Sequence, residues 1–201
     1  MINNFLRFFF LLLILSVFYV SADVSRPGNK NTPTEVRIAK YVVDLDNVSS
    51  ADQNFTVNVL VEARWKDPRL KHNSTGPITK EIKEIWHPGL QFVNQQRIWD
   101  TIDKIATISP DGTVTLTQRV WGDFSQPLSL HNFPFDKQCF NIQIVPVRYS
   151  FDEVKLVQNP ELQSGMAEKF SVADWEILGF KAGSFKYSPF RNEKYPFLNH
   201  L

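Results

Sequence analysis

The chain has 201 residues, 43% hydrophobic and 13% aromatic, which is enough apolar material for a packed core and too much for a disordered chain. Beyond residue 22 the charges balance at 21 basic and 21 acidic residues, which excludes a nucleic-acid partner that would need a basic stripe against phosphate. A single cysteine, Cys139, excludes an intrachain disulfide and any paired-cysteine metal site.

Met1–Arg7 carries one positive charge, and Phe8–Val20 is almost wholly apolar, followed by small residues at Ser21 and Ala22. An apolar run of about a dozen residues falls short of the roughly 20 that a bilayer span needs, so residues 1–22 read as a signal peptide and the product as exported. Residues 23–34 are polar and turn-rich, a flexible leader. Residues 35–201 read as one domain, without repeats or low-complexity stretches. Asn47, Asn54 and Asn73 each open an Asn-X-Ser/Thr pattern, the acceptor for N-glycosylation.

Period-two alternation dominates from Glu35 onward. Phe55, Val57, Val59, Val61, Ala63 and Trp65 fall on one face of a long strand, with Thr56, Asn58, Glu62 and Arg64 on the other. Asp67-Pro68 ends that strand. Residues 79–85 are the one candidate for a short helix. Ser109-Pro110-Asp111-Gly112 lies between two alternating runs, and predicts a hairpin turn because Pro presets φ while Gly supplies a positive φ. Cys139–Val147 and Ser171–Phe185 are two further alternating runs read as strands. Many short strands of this kind predict an all-β, Ig-like sandwich.

Three segments carry more than texture. Trp65-Lys66-Asp67-Pro68-Arg69-Leu70 closes the long strand, with Trp65 expected in the core and Asp67 positioned to accept backbone amides. Arg69 is expected to pair with a neighbouring acid as an exposed ion pair of little energy. In Trp86-His87-Pro88-Gly89-Leu90-Gln91-Phe92-Val93-Asn94, Pro88 confines His87 to extended backbone. Phe133-Pro134-Phe135-Asp136-Lys137-Gln138 sets two aromatics around a rigid turn. In this order and spacing, the segments from Glu35 to Phe185 resemble the extracellular ligand-binding domain of pentameric ligand-gated ion channels.

The resemblance implies several things. Animal members close a loop of thirteen residues with two cysteines, and the matching positions here fall near Gln126 and Phe140. Neither is cysteine, so the chain resembles the prokaryotic type without that bridge, and Cys139 is expected to pack as a small hydrophobe. Agonists of the family bind between neighbouring subunits. The matching positions are Leu60, Glu62, Val93, Asn94, Tyr149 and Phe151, with Tyr187, Phe190 and Tyr195 on a capping hairpin. Aliphatic Leu60 and Val93 weaken an aromatic cage for an amine, which leaves a proton as the alternative agonist. Asp44, Asp46 and Asp52, around a first hairpin at Asp44–Asn47, and the Phe133, Pro134, Phe135 and Asp136 turn are the expected coupling loops, while Trp65, Asp67, Arg69, Trp86 and Pro88 carry the motif.

A homopentamer is implied, joined to the membrane through a pore that this chain lacks, with no cofactor and no metal. The last strand of the family fold would begin near Tyr195, so an unpaired edge is expected beside Trp175–Phe185. A secreted soluble binder of the same fold is the alternative reading. No paired carboxylates, phosphate loop or nucleophile elbow argue for an enzyme.

Overall fold

Alternating apolar residues need a surface to cover, and two sheets supply it for one another. The computed structural model describes residues 24–132, 135–186 and 196–199. The strands are β1 (Thr34–Ser49), β2 (Asn54–Lys66), β3 (Ile78–Glu81), β4 (Leu90–Phe92), β5 (Gln95–Asp100), β6 (Ile105–Ile108), β7 (Thr113–Ser125), β8 (Gln143–Pro146), β9 (Val154–Gln158), β10 (Gly165–Met166), β11 (Gly183–Lys186) and β12 (Pro196–Asn199). The larger sheet runs β10-β1-β2-β7-β6-β3, with β5 on β7 and β9 on β1; the smaller runs β11-β12-β8-β4. The expected all-β sandwich is therefore in place.

β2 is the spine. It pairs with β1 and β7 along its whole length, and Phe55, Val57, Val59, Val61, Ala63 and Trp65 are all buried as the alternation requires. Aromatic contacts fasten the sheets at both ends of this strand. At one end Phe55 stacks on Phe124 of β7 at 5.6 Å between ring centroids and meets Phe140 at 5.0 Å, while Phe124 meets Phe92 of β4 edge-on at 5.5 Å. At the other end Trp65 meets Trp86 edge-on at 5.8 Å, and Trp86 meets Tyr149 at 5.6 Å. Such pairs add to what area burial alone contributes.

The Ser109–Gly112 turn forms as predicted. The Gly112 N–H donates to Ser109 O at 2.8 Å, and Gly112 takes φ +79° with no room for a Cβ, which would lie 2.6 Å from Asp67 O.

Four expectations need correction. Residues 79–85 are not helical: Ile78–Glu81 is β3, and a single 3-10 turn follows at Ile82–Glu84, because the segment finds a partner in β6. The run from Cys139 becomes a strand only at Gln143, since side chains serve its earlier backbone groups: Asn141 O accepts from Asn94 Nδ2 at 2.6 Å, and Asn141 N donates to Gln126 Oε1 at 3.3 Å. Cys139 is exposed rather than packed. Ser171–Phe185 is strand only from Gly183. The bulges in β1 at Val42/Asp44 and Leu45/Asn47 interrupt its edge, so this segment meets β1 through single bonds, such as Val172 N to Leu45 O at 3.0 Å.

The edge expected to stand open at β11 is paired: β12 lies antiparallel to both β11 and β8. Within the expected leader, Arg26 donates to Asn29 O at 2.9 Å and to Thr32 O at 2.8 Å, and Arg69 donates to Ser25 O at 2.7 Å.

One inward position of β1 is polar. Lys40 shares the parity of Ile38 and Val42, is 4% exposed, and donates from Nζ to Ile142 O at 3.3 Å. Burial pushes its ammonium down to about 8, so the folded state resists the charge that the unfolded chain carries up to its ordinary value. That penalty is complete below about pH 8 and disappears as pH rises past the unfolded value. Lys40→Met is expected to stabilise the fold by on the order of 2 kcal/mol at pH 7, with the advantage shrinking above pH 8, as measured by denaturant unfolding across that range.

Candidate functional site: the outer face of the larger sheet and the base loops

The corner after β2 is built around one carboxylate. Asp67 is 1% exposed. Its N–H donates to Gly112 O at 2.9 Å. Its Oδ1 accepts from Arg69 N at 3.1 Å and Arg69 Nε at 2.9 Å, and its Oδ2 from Arg69 Nη2 at 2.8 Å. The expected exposed pair is thus a bidentate clamp on a buried acid, a stronger arrangement than a surface ion pair. It joins three segments, since Arg69 also holds Ser25 and Asp67 holds the Gly112 turn. Trp65 is core as expected, Trp86 is buried beside it, and Trp86 Nε1 donates to Tyr149 Oη at 2.8 Å. Tyr149 therefore serves the aromatic anchor, with its hydroxyl already engaged.

The outer face of β2 carries the candidate recognition residues. Leu60 lies in register between Tyr41 of β1 and Arg119 of β7. Glu62 is ion-paired to Arg64 at 2.6 Å, and Arg64 reaches Glu161 at 3.1 Å. Toward the Phe55 end, Arg119 Nε donates to Asn58 Oδ1 at 3.0 Å. Beside it stand two tryptophans, Trp121 on β7 and Trp99 on β5, stacked at 5.2 Å and about half exposed. The backbone permits this approach because Gly122 has no side chain: a Cβ there would lie 2.1 Å from Arg97 O.

Asp44 and Asp46 are not in a hairpin turn, as expected, but inside β1, whose turn lies at residues 50–53. The two bulges turn both carboxyls onto the outer face. Asp46 Oδ2 accepts from Trp121 Nε1. Asp44 accepts from Ser171 N at 2.7 Å and Ser171 Oγ at 2.5 Å, and the two carboxyls share a hydrogen bond. Burial raises both. For Asp44 the Ser171 bonds outweigh burial and leave the group below its ordinary value. For Asp46 burial and the Asp44 charge outweigh the indole bond and leave it above. The pair is thus split, Asp44 held below and Asp46 above the ordinary carboxyl value.

The β1–β2 turn meets the start of the loop that follows β7. Gln53, at φ +52° in the β1–β2 turn, accepts from Gln126 N at its carbonyl (2.8 Å) and from Leu128 N at Oε1 (2.7 Å). Asp52 Oδ2 accepts from Ser49 Oγ at 2.8 Å. Two carboxamides close the loop where cysteines were sought. Gln126 Oε1 takes Asn141 Nδ2 at 3.2 Å, and Gln138 bridges Ser129 N at 3.2 Å and Ser129 O at 2.6 Å. Asp136 Oδ2 accepts from Gln138 Nε2 at 2.5 Å. Phe135 is 88% exposed. Phe133 and Pro134 lie outside the described residues, as do Tyr187, Phe190 and Tyr195.

The remaining candidates are dispersed within one subunit. Val93 is exposed at the edge of the smaller sheet, and Asn94 is spent on Ser125 O and Asn141 O at the Phe55 end. Tyr149 belongs to the Trp65 end, about 33 Å away along ten strand residues; Phe151 follows it in the same loop and is half-buried. Trp99, Trp121, Gln53 and Gln138 escaped the sequence reading. Their importance comes from cross-strand register and loop contacts, and no motif marks it.

The sequence profile of the neurotransmitter-gated ion-channel ligand binding domain matches residues 15–196. The chain belongs to this family. It is similar to a proton-gated ion channel of Gloeobacter violaceus, 29% identical over 161 residues, covering 78% of this chain and 44% of that one. It is also 30% identical over 140 residues to the human gamma-aminobutyric acid receptor subunit rho-1, covering 65% of this chain and 29% of the receptor, and 28% identical over 169 residues to human subunit rho-3, covering 79% and 36%. The chain spans less than half the length of these relatives, and among the described residues no helix is long and apolar enough to cross a membrane.

The Asp67 clamp predicts asymmetric mutational costs in this ligand-binding domain. Arg69→Ala strands a buried carboxylate and is expected to destabilise by about 3 kcal/mol. Adding Asp67→Asn to it should recover a large part of that loss, because a neutral amide needs no cation; a double-mutant cycle by urea denaturation checks both.

Proposed function

We propose that this domain is the agonist sensor of a homopentameric channel subunit, that agonist acts between neighbouring copies, and that the agonist is a proton. The pore it drives would be supplied outside residues 1–201. The observation that carries the reading is the Asp44–Asp46 carboxyl pair, held between Ser171 and Trp121 on the outer face of the larger sheet. The name of the Gloeobacter violaceus relative, a proton-gated channel, agrees with it.

Protonation has a local consequence that chemistry dictates. As pH falls Asp46, the higher of the two, takes up a proton first, and the next proton goes to Asp44. It cancels the charge that makes the Ser171 bonds strong. The segment after β10 then keeps only its backbone bonds to β1, from Ala167 N and Val172 N, while β1 leads directly into the turn where Gln53 grips the 126–128 loop. An arrangement of subunits that prefers the released segment gains population by the difference in proton affinity between the two states. Asp44, Asp46, Asp52, Phe133, Pro134, Phe135 and Asp136 are the coupling residues of this scheme. Leu60, Glu62, Trp99 and Trp121 form the adjoining face that a neighbour would cover. A small-molecule agonist would occupy that same face.

Recordings from the full-length subunit during acidification test the reading. Asp44→Asn mimics the protonated acid and is expected to move half-activation about one pH unit toward neutral, a tenfold change in proton concentration. Unchanged half-activation in this variant, or currents that answer to amines and not to acid, would remove the proton from the scheme.

A further inference from the structure

The three Asn-X-Ser/Thr patterns take no part in the channel reading, and the fold treats them very differently. Asn54 opens β2 and is 7% exposed. Its backbone lies in the ladder between Ser49 of β1 and Ser125 of β7, and its carboxamide donates to Gln96 Oε1 at 3.0 Å. The hydroxyl of Thr56, which completes the pattern, donates to Asp123 Oδ1 at 2.7 Å. Asn47 is exposed but lies inside β1, opposite Thr56 of β2. Its completing hydroxyl, on Ser49, donates to Asp52 Oδ2 at 2.8 Å.

Asn73 differs on every count. Residues 71–77 belong to no strand or helix, and Asn73, Ser74 and Thr75 are all exposed. Among the described residues neither the Asn73 carboxamide nor the Thr75 hydroxyl has a hydrogen-bond partner. The loop is held instead by its neighbour. His72 N donates to Pro110 O at 3.2 Å, the His72 ring meets Ile108 O through Nε2 at 3.1 Å, and its Nδ1 accepts from Ser74 N at 3.3 Å. Asn73 therefore sits beside the Ser109–Gly112 turn, at the Trp65 end of β2 and away from the base loops.

We propose that Asn73 is an N-glycan acceptor of the exported domain, and that Asn47 and Asn54 are not. The donor is a lipid-linked sugar pyrophosphate. The amide nitrogen of Asn73 attacks the anomeric carbon, an N–C bond forms, and the C–O bond to pyrophosphate breaks. The lipid pyrophosphate leaves with that electron pair, and the amide gives up one proton. A transferase must engage both the asparagine and the hydroxyl two residues on, and only the 73–75 segment has both free. A glycan is bulky and needs a surface position; on Asn54 it would displace the Gln96 bond at the start of the β1–β2–β7 ladder. The assignment does not rest on the proton scheme, which uses none of these three asparagines.

The test incubates the folded full chain with a single-subunit oligosaccharyltransferase and a lipid-linked oligosaccharide, and reads occupancy at each asparagine by peptide mass spectrometry. Synthetic peptides spanning the three patterns are the reference. Asn73 is expected to react at least about tenfold faster than Asn47 or Asn54 in the folded chain, because the other two are reached only through local opening of the ladder; the peptides should lose that preference. Asn73→Gln and Thr75→Ala, at exposed positions without side-chain bonds, should each abolish the modification and leave the urea midpoint in place, whereas Thr75→Ser should retain it. An unmodified Asn73 in the folded chain, equal modification of Asn47 or Asn54 there, or the same preference among the peptides would each overturn the assignment.

Discussion

Everything in this domain hangs from the inward face of β2, whose two ends are aromatic. Phe55 and Trp65 each gather an aromatic cluster onto the strand, through Phe124, Phe92 and Phe140 at one end and Trp86 and Tyr149 at the other. The residues between them are small and aliphatic, and they fill the space between the sheets without setting an angle. Two anchors about 33 Å apart leave the sheets little freedom to slide.

A face that is fully used for packing cannot also recognise anything. The division of labour in the larger sheet follows: its inner side is apolar except for Lys40, while its outer side holds Glu62, Asn58, Arg119, Asp44 and Asp46 together with the stacked pair Trp99 and Trp121. Exposed tryptophans of this kind are uncommon on a surface meant only for water. Bulges in β1 matter here because they rotate two acids out of the alternation, and they also break the edge against which residues 167–182 would otherwise zip as a strand.

The loop at the base is closed by amides. Gln126 with Asn141, and Gln138 with Ser129, make neutral hydrogen bonds, each contributing about 1 kcal/mol net, against the 2–4 kcal/mol that a disulfide typically adds. A loop fastened this way keeps its shape in the folded domain yet can rearrange at modest cost. Gln53 adds the contact that ties the β1–β2 turn to this loop.

How far the sequence reaches can be seen residue by residue. The alternation from Phe55 to Trp65, the Pro-Asp-Gly turn and the motif around Trp65 and Trp86 were legible because strand periodicity and turn chemistry are local, and a face of valines has only one place to go. The Asp67 clamp was half legible: the break at Pro68 was plain, but the burial that turns Arg69 from an ornament into a counter-ion comes from the Gly112 turn arriving from 45 residues away. The strands expected at 139–142 and 171–182 were illegible as loops, because alternation persists there while Asn94, Gln126 and a bulged β1 take the backbone bonds a ladder needs. By itself the sequence determined the class of fold, the spine and its family. Only the tertiary structure decided which acids lie side by side, which tryptophans stack and which amides close the base, since those depend on register between strands distant in the chain, and no local pattern encodes register.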